Sequence, residues 1–193
     1  MVEAAAHLLI ESGPSAITHR RVAEAAGVPL GSANYFFPSR AQLYAFAVEA
    51  AEASRVRAAT EFARGLPREH RSPAATADLL IRTWYAPHVD HDVVRARLEP
   101  MIDALHSPEL RRIMNDSRPA LVAALETALE RSGYPQFADV ELVALLLDSA
   151  LTYANSIHSE DAYALATDAL ARLLTLIAPL SSGGASAGNS LGD

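Results

Sequence analysis

Residues 17–44, ITHRRVAEAAGVPLGSANYFFPSRAQLY, bring hydrogen-bonding side chains together at a spacing suited to nucleic-acid recognition. Thr18, His19 and Arg20 crowd one helix start; Ser32, Asn34 and Tyr35 stand on the next short segment, and Arg40 opens the one after. Asn suits the edge of an adenine, Ser and Tyr suit phosphates or either base, and Leu30 and Ala33 offer apolar contact to a thymine methyl. Gly31 allows a close backbone approach. Thr18 and Arg40 fall at expected helix starts, where free N–H groups and the helix dipole attract phosphate.

Two further constellations carry chemistry. His88, His91 and Asp92 share one face of a helix at i, i+3 and i+4, and both residue types ligate zinc. The same polar run also suits a helix start, where such residues act as caps, so no metal and no cofactor is expected. The bulky polar-tipped residues Trp84, Tyr85 and Tyr153, with His88, Met101, Asn115 and Asp148, suit a pocket for a small molecule.

Composition narrows the alternatives. The 193 residues are 50% hydrophobic and 20% charged, which excludes overall disorder. There is no cysteine, hence no disulfide, zinc-thiolate site or cysteine nucleophile. A P-loop, a Gly-x-Ser-x-Gly elbow and a His-Glu-x-x-His pair are all missing, so no enzyme is expected. The enzyme-class rival is an all-helical metal-dependent hydrolase using His88, His91 and Asp92; a helical scaffold that binds no DNA is the third reading. The net charge of −7 argues against a large nucleic-acid surface, yet residues 17–45 hold three Arg against one Glu. The longest apolar runs, such as Leu142 to Leu147, are far too short to span a membrane, and the N-terminus lacks the basic start of a signal peptide. The expected compartment is the cytoplasm.

The elements that must position these residues are all helical. Ala, Leu, Glu and Arg dominate, Gly and Pro fall as punctuation, and no segment alternates with period two. About nine helices are expected: 2–12, from a cap at Thr18 to Gly27, 30–36, 40–63, 74–85, 88–106, 108–132, 139–157 and 161–177. Residues 64–73 read as a loop, and Pro100 and Pro119 as kinks or breaks. Helix 139–157 is apolar nearly all round, so a surface beyond one chain's core is expected to cover it. Val143, Leu146, Leu147 and Ala150, with Leu170 and Leu174 of the last helix, are the interface expected of a homodimer.

Two short helices joined by a Gly-containing turn form a helix-turn-helix. Residues 2–49 resemble the DNA-binding domain of the TetR family of one-component bacterial repressors. The resemblance rests on Ala4–Ala6 to Gly13, then Thr18 to Ala25-Ala26-Gly27-Val28, then Gly31, Phe36-Phe37-Pro38-Ser39-Arg40 and Leu43. The chain departs from the family pattern at Ala33-Asn34, with Tyr35 displaced by one, and at Phe36, where the family often has His. It also begins almost inside the first helix, without the basic arm most members carry. The resemblance implies an all-α chain in three parts: DNA-binding domain 1–48, helical ligand-binding and dimerisation body 49–180, and a disordered tail 181–193. It further implies a double-stranded, palindromic operator as partner, a small-molecule effector, and repression relieved when that effector binds.

Overall fold

The computed structural model describes residues 1–87, 91–135, 139–156 and 162–177, without the side chains of residues 91–96, 154–156, 162 and 177. The described residues form nine α-helices and no strand: α1 Val2–Ser12, α2 His19–Ala25, α3 Leu30–Phe36, α4 Arg40–Gly65, α5 Pro73–Trp84, α6 His91–Asp103, α7 Pro108–Arg131, α8 Val140–Ser156 and α9 Ala162–Ile177. The chain is all-α, as expected. A 3-10 turn at Pro14–Ala16, which the sequence did not signal, separates α1 from α2. Tail residues 181–193 and His88 lie outside the described residues.

Local chemistry sets the helix ends. The Oγ atoms of Thr18, Ser39, Ser72 and Ser107 accept N–H bonds from Arg21, Gln42, Ala75 and Leu110, capping α2, α4, α5 and α7. Pro73 and Pro108 occupy first turns, where a missing N–H costs nothing. At the end of α2, Gly27 sits at φ 64°, Val28 N–H bonds Ala23 O at 3.0 Å, and Gly27 N–H bonds Glu24 O at 3.1 Å. This paired closure needs a residue at positive φ, and glycine takes it without a Cβ penalty.

Of the two outcomes expected at the prolines, a kink or a break, the break does not occur. Helix α6 runs unbroken through Pro100 and α7 through Pro119. Packing on neighbouring helices offsets the one lost hydrogen bond in each.

Two apolar clusters organise the molecule. The larger joins α4, α5, α7, α8 and α9 around Leu80, Ile81, Trp84, Leu125, Leu147 and Leu170. The smaller joins α1, α2 and the start of α4 to Ala104, Leu110 and Ile113, at the end of α6 and the start of α7. Helix α4 passes through both clusters, from Leu43 to Ala63, and so ties the N-terminal helices to the body.

Candidate nucleic-acid interface and body cavity

The first three helices present α3 outward. Ala33 is fully buried and anchors it, which corrects the expectation that Ala33 meets a thymine methyl. Gly31 and Asn34 are exposed, Ser32 is half-buried, and Leu30 is 47% and Tyr35 81% exposed. Phe36 is 62% exposed and packs edge-to-face on Tyr35 at 5.5 Å. Phe36 entered the sequence reading only as part of the family pattern, not as a contact residue, although it shares the helix end of Tyr35.

The cations around α3 divide into two kinds. Arg20 is exposed. His19 Nε2 lies 2.7 Å from the Phe37 carbonyl oxygen. A carbonyl only accepts, so Nε2 carries the proton and ties α2 to the end of α3. Arg40 departs from expectation. Its Nε donates to Ile17 O and its Nη2 to Pro14 O, each at 3.1 Å. Two of its five N–H donors are thus spent on the turn before α2, and the guanidinium is a strut between α4 and that turn.

In the body, residues of α4, α5, α6, α7 and α8 line a hollow that is open on one side. Four residues singled out for a pocket line it: Trp84, Met101, Asn115 and Asp148. Tyr85 does not; it is buried, and its hydroxyl donates to Leu147 O at 2.8 Å. Tyr153 is 55% exposed on α8 and stands away from the hollow. The side chains of His91 and Asp92, like His88, lie outside the described residues. Among the described residues no cluster of three or more metal-ligating side chains occurs.

The hollow holds a charged network that sequence reasoning missed. Arg55 is buried on α4; its Nε and Nη2 donate to Trp84 O at 3.0 and 2.9 Å, and its Nη1 to Glu52 Oε2 at 3.0 Å. Ser117 Oγ donates to the same Glu52 oxygen at 2.7 Å. Trp84 Nε1 donates to Asp148 Oδ1 at 3.0 Å, and Arg118 Nη1 donates to Asp148 Oδ2 at 3.0 Å. Two guanidinium groups stand over the Trp84 ring, Arg55 at 5.0 Å and Arg118 at 5.6 Å, in cation–π range.

Electrostatics follow from that crowding. Burial, and then the charge of Arg97, push Arg55 down to about 9, against the pull of Glu52 and Asp148. Burial raises Glu52, yet the charges of Arg55 and Arg97 and the bond from Ser117 outweigh it and hold the carboxyl below its ordinary range. A signal existed. Positions 48, 52, 55 and 59 form one stripe of α4; Val48 and Ala59 are core, so the charges at 52 and 55 had to be buried with them.

The residues expected at a dimer interface mostly serve the chain's own core. Val143, Leu147, Ala150, Leu170 and Leu174 are buried against α5, α7 and each other, and only Leu146 among them is half-buried. The uncovered side of α8 carries Leu142, Leu145 and Tyr153, and the end of α9 carries Leu176. No helix of the described residues is long and apolar enough to cross a membrane.

Known proteins place this architecture. Residues 1–46 match the family described as bacterial regulatory proteins, tetR family, and residues 71–176 match the tetracyclin repressor-like C-terminal domain. No curated protein matches the chain. Among solved structures, that of the multidrug binding protein EbrR complexed with proflavin is similar, with a TM-score of 0.63 and 24% identity over 89% of this chain and 96% of that one. An outward-facing α3 in a helix-turn-helix, a helical body behind it and the match of both parts lead to one conclusion: the chain belongs to the TetR family of DNA-binding transcriptional regulators.

Proposed function

We propose that this regulator is a homodimeric repressor that a small molecule releases from a palindromic operator. In this reading residues 1–48 bind DNA, residues 49–180 hold effector and partner, and the protein works in the cytoplasm where its operator lies. Each subunit places α3 in a major groove, the two grooves about 34–36 Å apart or a multiple of that. Asn34 and Tyr35 read bases, with Leu30, Gly31 and Ser32 beside them. Thr18, His19 and Arg20 approach phosphates, and Arg40 positions α2.

Gly31 supports this assignment. Apart from its chain neighbours and its own helix backbone, nothing lies within 4 Å of where its Cβ would stand, and its φ is not positive. Glycine in a helix costs about 1 kcal/mol relative to alanine. The fold does not need glycine here, whereas close approach of a DNA backbone would.

The observation that carries the release mechanism is the double role of α4. Its first turns, Leu43 to Val48, build the core under the DNA-binding helices, and Glu52 and Arg55 farther along line the hollow. Tyr44 on α4 also donates to Asp103 Oδ2 on α6 at 2.9 Å. A ligand that shifts α4 or α6 changes the seat of α3, and it does so only through different affinity for the two states. A small-molecule ligand also accords with the EbrR structure, which holds proflavin. The uncovered apolar side of α8 and α9, around Leu142, Leu145 and Leu176, supports the dimer.

Selection of bound duplexes from a random pool tests the reading. Recovery of a palindrome with half-sites one helical turn or a multiple apart is expected. A single unpaired half-site, or no enriched sequence, would overturn it.

A further inference from the structure

The hollow described above does not end at Glu52 and Arg97. A second, smaller hollow shares Glu52, Arg97 and Met114 with it, and is otherwise lined by Leu9, Ile10, Val48, Ala51 and Pro100. The first is lined by five charged side chains; the second is apolar except at the shared junction. A molecule spanning them needs one polar end and one apolar end.

The sign of the polar end follows from which charges are already spent. Of the three guanidinium groups in the lining, Arg55 is paired with Glu52, and Arg118 with both Asp148 and Glu141, while Arg97 makes no carboxylate hydrogen bond among the described residues. Glu52 accepts from Arg55 and Ser117, and Asp148 from Trp84 and Arg118. A cationic ligand would have to displace one of those donors. Arg97 is placed differently. Among the described residues it makes one long hydrogen bond, from Nη1 to Trp84 O at 3.4 Å, an oxygen that Arg55 already holds with two closer donors. Its guanidinium stands 5.7 Å from the Tyr85 ring centre, between the like charge of Arg55, which an incoming anion would offset, and the carboxylate of Glu52, which already holds two donors of its own.

We infer that the effector is an amphipathic carboxylate, its acid group held by Arg97 and its apolar chain seated against Leu9, Ile10 and Val48. This deepens the reading of the body as an effector site and rests on it. Arg matches a carboxylate with two parallel N–H bonds, and the half-buried setting strengthens them. The apolar chain would meet α1 itself, whose Leu9 shares a core with Val22 and Leu43. Occupancy is thereby felt by the DNA-binding helices without passing through the whole body.

The test is calorimetric titration of the intact protein with octanoate, 1-octanol and octylammonium, probes with the same chain and different heads. Octanoate is expected to bind at least about tenfold more tightly than either, the worth of one charge-assisted hydrogen-bonded pair. Arg97→Gln should erase that preference and Arg97→Lys should keep part of it, with circular dichroism confirming that each variant folds. Equal binding of octanol and octanoate, tighter binding of octylammonium, no octanoate binding, or an Arg97→Gln variant that keeps the preference would each overturn the proposal. If Arg97→Gln does not fold, the three-probe comparison on the wild type still decides the sign of the head group. A parallel gel shift separates the two readings. Octanoate that binds selectively but leaves the operator complex intact defeats release while the anion site stands.

Discussion

Arg55 grips the carbonyl oxygen of Trp84 with two donors, Nε at 3.0 Å and Nη2 at 2.9 Å. That oxygen closes α5, at the end where helix carbonyls have no N–H of their own to accept from and where the dipole favours a cation. The same guanidinium holds Glu52 and covers the Trp84 ring, so one side chain joins α4 to α5. Arg55→Ala would strand a buried carboxylate and an open helix end. The expected cost is about 3–5 kcal/mol, a large share of the roughly 5–15 kcal/mol that stabilises a domain. The double variant Glu52→Gln/Arg55→Met should recover much of it, because no charge is left buried. Urea unfolding checks both, and a loss under about 1 kcal/mol for Arg55→Ala would show the grip to be incidental.

Glu52 makes stability depend on acid. Its carboxyl is held below the ordinary value of 4.5 in the fold, so the folded state binds fewer protons than the unfolded chain as pH falls. The contribution is therefore complete above the unfolded value and is lost as pH falls from there through the folded one. Thermal midpoints measured from pH 7 down to pH 3 should show a steeper acid decline in wild type than in Glu52→Gln. The variant should start lower at neutral pH and converge on wild type in acid. Parallel curves would mean that Glu52 does not titrate as its surroundings dictate.

How far the sequence carried the fold depended on punctuation. Gly13, Thr18, Gly27, Pro38-Ser39, Ser72-Pro73 and Ser107-Pro108 are all local signals, and the helix ends follow them within about two residues. What burial decides was harder. Ala33 on the outward helix turned inward and is fully buried, on the side of α3 that faces the core. Arg40 looked like a phosphate ligand because nothing local reveals that Ile17 O and Pro14 O lie within its reach. The pocket was half legible. Trp84, Met101, Asn115 and Asp148 were found by their types, while Arg55, Arg97 and Arg118 were not singled out, because nothing local marks a buried arginine.

Asn34 and Arg40 should fail in different ways when removed. Asn34→Ala is expected to cost about 1–3 kcal/mol of operator affinity and to relax preference at one base position. Arg40→Ala should weaken every duplex about equally and lower thermal stability, because it releases the turn before α2. Its salt dependence should stay close to wild type. Arg20→Ala removes an exposed charge and should flatten the slope by about one unit. Fluorescence anisotropy over a salt series, with matched and scrambled duplexes, distinguishes the three. A full unit of slope lost in Arg40→Ala would return that guanidinium to the phosphates.

Leu145 and Leu147 stand two positions apart on α8 and face opposite ways. Leu147 is fully buried in the core with Trp84, Leu125 and Leu170, while Leu145 is 53% exposed in a chain described without a partner. Glu at position 147 would place an unpaired charge inside that core, a cost of several kcal/mol, and should unfold much of the body. Glu at position 145 should leave a single subunit within about 0.5 kcal/mol of wild type, as surface substitutions generally do. In the proposed dimer that charge would be buried between subunits, so Leu145→Glu should yield a folded monomer. Operator affinity should fall with it, because two recognition helices no longer bind as one unit. Sedimentation velocity at micromolar concentration, circular dichroism and a gel shift on the same samples read all three consequences. A wild-type monomer that still binds its operator tightly, or a Leu145→Glu variant that remains dimeric, would place the interface elsewhere.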